Sequence, residues 1–122
     1  MQLKEIMNKQ NFVVVGNTIN EDKYAYKIKK GLQDCGYNVL AVGKELQSIN
    51  DVSFEIDVLD LCINPAIGLK LLTENHKNIG IVVIQPGAES EEIKDYLNKK
   101  NIPYLEACLL VGLKLYKKYG VR

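Results

Sequence analysis

The chain reads as an α/β domain, a mostly parallel five-stranded sheet with helices on both faces. Three observations carry this reading. Short runs of Val, Ile and Leu recur without the apolar–polar alternation of a sheet that faces water, as in strands buried on both sides. Segments of helical period separate these runs, so each strand is followed by a crossover to a parallel neighbour. Finally, the run Val13-Val14-Val15 ends in Gly16-Asn17-Thr18 and a lysine-rich helical pattern opening near Asn20. In such a strand–turn–helix unit, backbone N–H groups at the strand's carboxyl end face a phosphate. The dinucleotide fingerprint G-x-G-x-x-G is absent, Gly16 being the sole glycine of the three it needs.

The elements follow in order. Strands are predicted at Asn11–Val15, Asn38–Val42, Val58–Cys62, Gly80–Ile84 and Pro103–Leu105. Helical patterns lie between them at Glu21–Cys35, Pro65–His76 and Glu91–Lys99, with a short helical turn at Leu46–Ile49. Asn20 suits the cap of the first helix, with Glu21 and Asp22 in its first turn and Gly36 past its end. Ala25, Ile28, Leu32 and Cys35 form its apolar stripe. Asn64-Pro65 is a cap followed by proline at the first helical position, and Ser90-Glu91-Glu92 opens the next crossover helix. The last segment, Leu109–Tyr119, is apolar and then basic. It either completes the core or forms a homodimer contact rimmed by Tyr116 and Tyr119, with Lys114, Lys117 and Lys118 on a polar face.

Length and composition narrow the function. The 122 residues form one domain, with its core over residues 11–113. Apolar residues make up 47% and charged residues 25%, an ordinary globular balance. A net charge of +1 with no basic stripe excludes a nucleic-acid binder that works by bulk electrostatics. Cys35, Cys62 and Cys108 are odd in number and widely spaced, which suits a reducing compartment and neither a disulfide framework nor a metal site. Met1–Gln10 has no hydrophobic core of a signal peptide, and no apolar run approaches the roughly 20 residues that span a bilayer. The expectation is a cytoplasmic protein with no membrane partner.

In a sheet of this kind the ligand lies beyond the carboxyl ends of the strands. The junctions there are Gly16-Asn17-Thr18, Gly43-Lys44, Asn64-Pro65 and Gln85-Pro86-Gly87-Ala88. All carry residues that let backbone approach a ligand or donate hydrogen bonds to it. None carries a His, Asp or Glu able to act as general base, so this is a binding site with no catalytic residue expected. The second junction discriminates. Domains that bind NAD place an acid there for the ribose hydroxyls, whereas Lys44 suits a phosphorylated ribose. The adjacent Glu45 is expected to start the following helical turn. The fitting groups are the 2′-phosphate of NADP and the 3′-phosphate of coenzyme A.

With these junctions in view, the chain resembles the stand-alone CoA-binding domains, related in fold to the Rossmann-like domain of succinyl-CoA synthetase α subunits and ADP-forming acyl-CoA ligases. The matching segments are Gly16-Asn17-Thr18, Lys23–Lys27, Cys35–Val39, Asp60–Pro65, Ile84–Glu92 and Cys108–Leu113. Together they span residues 11–113, with Gln85-Pro86-Gly87-Ala88 the most specific. The sequence departs from the family in two places. Val42-Gly43-Lys44 replaces a frequent Asn-Pro-Lys, and Asn64 stands where many members have Arg or Lys. The partner domains of the ligases, with their phosphohistidine and ATP grasp, have no match here. The resemblance implies a ligand, coenzyme A or an acyl-CoA, rather than an activity.

The expected site is therefore Gly16, Asn17, Thr18, Lys23, Tyr26, Gly43, Lys44, Asn64, Pro65, Gln85, Pro86 and Gly87. The diphosphate would lie on the N–H groups of Gly16–Thr18, the 3′-phosphate near Lys44, and the pantetheine past Asn64-Pro65 toward Gln85-Pro86-Gly87. Lys23 alone of the first helix's lysines reaches a phosphate, while Lys27, Lys29 and Lys30 form a solvated face. Gln85 adds nothing that a turn requires, which points to ligand contact. Cys62 and Cys108 read as small buried residues, and His76 lies at the wrong end of its crossover for chemistry. Two other classes stay open: an NADP-dependent reductase, and an assembly module with a degenerate pocket.

Overall fold

The computed structural model describes residues 1–116. Its elements are α1 (Leu3–Ile6), β1 (Asn11–Gly16), α2 (Tyr24–Asp34), β2 (Asn38–Gly43), a 3₁₀ turn at Ile49–Asp51, and β3 (Ile56–Cys62). Then come α3 (Pro65–Glu74), β4 (Ile79–Ile84), α4 (Glu91–Lys99), β5 (Tyr104–Glu106) and α5 (Leu109–Tyr116). The sheet is five-stranded in the order β2-β1-β3-β4-β5, and every pairing is parallel.

Alternating residues of the strands feed two apolar layers. Val13, Val15, Leu59, Leu61, Val82 and Ile84 pack against Ile49 of the 3₁₀ turn, Leu72 of α3, and Ile93 and Leu97 of α4. Phe12, Val14, Val58, Ile81 and Val83 pack on the other face against Ile6, Ile28, Leu32, Leu109 and Leu113 of α1, α2 and α5. Burial on both faces accounts for the continuous apolar runs.

Several boundaries differ from the sequence expectation, each for a local reason. The first helix starts at Tyr24 rather than Glu21. Asn17 Oδ1 accepts from the N–H groups of Ile19 and Asn20, and Asn20 Oδ1 accepts from Asp22 N–H, which holds residues 17–23 in turns. Asn20 therefore caps nothing. The expected helical turn at Leu46–Ile49 is displaced to Ile49–Asp51, where Ser48 Oγ accepts from Asn50 N–H. The helix predicted to His76 ends at Glu74, because Asn75 is extended.

A short helix before the first strand was not expected from the sequence. α1 seats Ile6 and Met7 with no exposure, and the Tyr37 hydroxyl donates to the Met7 carbonyl. α5 lies beside it, close enough that a Cβ at Gly112 would meet Met7 Sδ at 2.7 Å. Of the apolar C-terminal residues, Leu109 and Leu113 are buried while Val111 and Leu115 face outward, so part of the segment completes the core. The portion of the predicted Leu109–Tyr119 segment beyond Tyr116 lies outside the described residues.

Candidate functional site

The strand order reverses direction between β1 and β3, the topological switch point where open α/β sheets bind ligands. Two hollows meet there, sharing Asn17 and Ile63. The first, about 430 Å³, is lined by Asn17, Lys23, Tyr24, Cys62, Asn64 and the Gln85–Ala88 turn, among others. The second, about 570 Å³, lies over β2 and α3 and includes Gly16, Gly43, Lys44, Gln47, Ile67, Lys70 and Glu74 in its wall.

The backbone between the hollows is tightly drawn. A Cβ on Gly16 would lie 2.3 Å from the Cys62 carbonyl oxygen and 2.9 Å from Ala25 Cβ. Glycine is thus required for β1, β3 and α2 to converge, whatever binds above them. Gly43 has φ +128°, and its N–H donates to the Leu46 carbonyl at 2.7 Å, folding the loop after β2 back on itself.

The helix N-termini around the site differ in one respect. α3 is capped by Asn64 Oδ1, which accepts from Ala66 N–H at 2.9 Å. α4 is capped by Ser90 Oγ on Ile93 N–H at 3.1 Å, and α5 by Gln85 Oε1 on Leu109 N–H at 2.8 Å. α2 has no side-chain cap and no acid in its first turn. Its cap position, Lys23, and its first residues, Tyr24 and Ala25, line the first hollow. Unpaired first-turn N–H groups, the helix dipole and a lysine converge there, a ready setting for an anion.

The expected site residues divide accordingly. Asn17, Lys23, Asn64, Gln85, Pro86 and Gly87 line the first hollow, and Gly16, Asn17, Gly43 and Lys44 the second. Thr18, Tyr26 and Pro65 line neither. Thr18 is buried and its hydroxyl donates to Glu45. Tyr26 is half-buried, and Tyr24, one position past the cap, takes the rim instead. Pro65 opens α3 and so aims Asn64. Gln85 proves to have a structural duty in capping α5, as well as a place on the wall. Gly87 N–H donates to Glu89 Oε1 at 2.8 Å, so this glycine offers its surface to the hollow rather than a donor.

Sequence reasoning missed Lys70. It sits mid-helix, facing the same hollow as Lys44 from across it, and neither lysine has an ion pair among the described residues. Its position within the α3 pattern carried no signal for this, because the face it presents depends on how α3 lies on the sheet. Lys29 was also misread. It is no solvated lysine, for its Nζ pairs with Glu45 at 2.7 Å. Glu45 itself turns back toward α2 instead of starting a helical turn.

Two titratable side chains of β3 have their protonated forms favoured by burial. Burial, helped by Asp60 and Cys108, pushes the Cys62 thiol up to about 12, which removes it as a nucleophile near neutrality. Asp60 is wholly buried on β3 with both carboxylate oxygens unpartnered, and burial raises its carboxyl well above the usual range. His76 lines a hollow with Glu55, Ile56, Asp57 and Ile79 at the amino ends of β3 and β4, opposite the switch point.

A sheet of this order with a cleft at its switch point defines a Rossmann-like domain. The family model described as a CoA binding domain matches residues 10–114. The chain belongs to that family of CoA-binding domains, and membership supports a role in binding coenzyme A. Among solved structures it is similar to a conserved hypothetical protein from Pyrococcus furiosus, 30% identical with a TM-score of 0.74, covering 84% of this chain and 98% of that one. A protein from Thermus thermophilus shares the fold at 22% identity and a TM-score of 0.77, covering 93% of this chain and 98% of that one. The chain also resembles a segment of an argininosuccinate lyase from Bacillus cytotoxicus, 32% identical over 75 residues. That match covers 60% of this chain and spans only 16% of the enzyme's length. No helix among the described residues is long and apolar enough to cross a membrane.

Proposed function

We propose that the protein binds coenzyme A or an acyl-CoA across the two hollows, as a carrier or regulatory module with no catalytic step of its own. The observation that carries this reading is the uncapped N-terminus of α2 at the switch point, with Lys23 beside it and Lys44 and Lys70 across the second hollow. The diphosphate takes the first-turn N–H groups and Asn17. The 3′-phosphate lies between Lys44 and Lys70, and the pantetheine runs along Asn64 and the Gln85-Pro86-Gly87 turn. Tyr24 and Ile67, exposed by 64% and 49%, are apolar groups on the cleft that such a ligand would cover. Family membership favours coenzyme A over NADP.

Titration calorimetry with CoA, dephospho-CoA, NADP and NAD tests the proposal. CoA should bind tightest, and native mass spectrometry should retain an adduct of CoA mass. Tighter binding of NADP would move the protein to the reductase reading. Silence toward all four would favour an assembly module.

A further inference from the structure

Beside the two hollows, and lining neither, three side chains form a clasp. Lys29 Nζ donates to both oxygens of Glu45, at 2.8 Å to Oε1 and 2.7 Å to Oε2, and the Thr18 hydroxyl donates to Oε2 as well. The clasp joins α2, the turn after β1 and the loop after β2, the elements that carry Lys23, Asn17 and Lys44. It is partly sheltered: Thr18 is buried and the Lys29 side chain is 20% exposed, while the Glu45 side chain keeps 37% of its surface open. Glu45 and Lys44 are adjacent, yet Lys44 faces the second hollow and Glu45 is turned from it.

The end of the second strand is where an acid receives ribose hydroxyls in dinucleotide-binding sheets, and an acid there repels a phosphorylated ribose. This chain retains a carboxylate at that place but draws it aside. We infer that Lys29 is a specificity-determining residue of the nucleotide site: with Thr18 it holds Glu45 off the ligand, so that Lys44 and Lys70 meet the ribose without that carboxylate and a phosphate monoester is selected. Lys29 acts through Glu45 and touches no ligand, which makes it a positioning residue. The inference rests on the reading that a nucleotide occupies the hollows, and it extends the site to residues that neither hollow contains.

The test uses the full chain, titrated with CoA and with dephospho-CoA at low ionic strength. Lys29→Met should release Glu45 and cut the preference for CoA by about fivefold, the usual scale of one partly exposed charge interaction. Lys29→Met combined with Glu45→Gln should restore the preference, since the offending charge is gone. Thr18→Val, which loosens the carboxylate without altering any charge, should reduce the preference in the same direction. It serves as the deciding variant if Lys29→Met fails to give a native circular dichroism spectrum. A preference that survives both Lys29→Met and Thr18→Val overturns the inference. So does an equal loss for both ligands that Glu45→Gln does not rescue, for Lys29 would then only hold the loop. A wild type that binds the two ligands equally also overturns it. A wild type that binds neither ligand overturns instead the reading of the hollows as a nucleotide site.

Discussion

Asp60 is the residue whose situation departs furthest from its chemistry. It pairs in register with Val14 and Val83, and both of its oxygens lack a partner. Its folded-state pKa is raised by burial, so it stays protonated at pH values where the unfolded chain has released the proton. With the folded pKa above the unfolded one, Asp60 adds no pH-dependent cost below about pH 4, and its cost grows as pH rises. The slope is about 1.4 kcal/mol per pH unit while the folded form keeps its proton. Asp60→Asn should flatten the fall in thermal midpoint between pH 5 and 8, as followed by circular dichroism. The lysines make a second prediction at this scale. CoA should bind more tightly than dephospho-CoA by ~1 kcal/mol, a difference that Lys44→Ala abolishes and Lys70→Ala reduces in calorimetry.

At the scale of the element, the cleft depends on how helices begin. The Gln85 carboxamide stands between the cleft wall and α5, its oxygen accepting from the buried Leu109 N–H. Gln85→Ala should lower stability by about 1–2 kcal/mol, the cost of a lost cap and an unsatisfied donor. For a domain of this size that shift moves the thermal midpoint by roughly 4–8 °C, readable in a melting curve. Gly16 belongs here too. Gly16→Val would look, from the turn motif, like a clean test of phosphate approach. The Cys62 carbonyl 2.3 Å from any added Cβ makes it a folding variant instead, expected to give little native protein on expression.

For the whole molecule, α1 and α5 complete with α2 the cover of one face of the sheet. Leu109 and Leu113 lie against Ile28, Leu32 and Met7 in that layer. Burying two leucines contributes about 3–6 kcal/mol, a large part of a small domain's net stability. A chain ending at Ala107 should therefore aggregate or unfold rather than sediment as a CoA-binding monomer. Recovery of a folded monomer with unaltered affinity would make α5 an appendage. α5 turns Val111 and Leu115 outward.

What the sequence by itself determined was the local content. Runs of β-branched residues, the glycines at strand ends and the Asn64-Pro65 and Ser90 caps specify each element through contacts a few residues apart, so the α/β class and the four strand-end junctions were legible. The resemblance carried by those junctions pointed to coenzyme A for the same reason. Tertiary structure decided what links distant segments. The strand order, and with it the switch point, follows from which strands pair. α2 lost its expected cap because Asn17 and Asn20 satisfied the turn before it. Lys70 joined Lys44 only when α3 settled on the sheet, and Glu45 turned from the second hollow toward Thr18, 27 residues earlier, and Lys29, 16 residues earlier. Side-chain periodicity tells which face of an element is apolar, but the partner of a polar group is set by packing across the fold, where one hydrogen bond outranks any local preference.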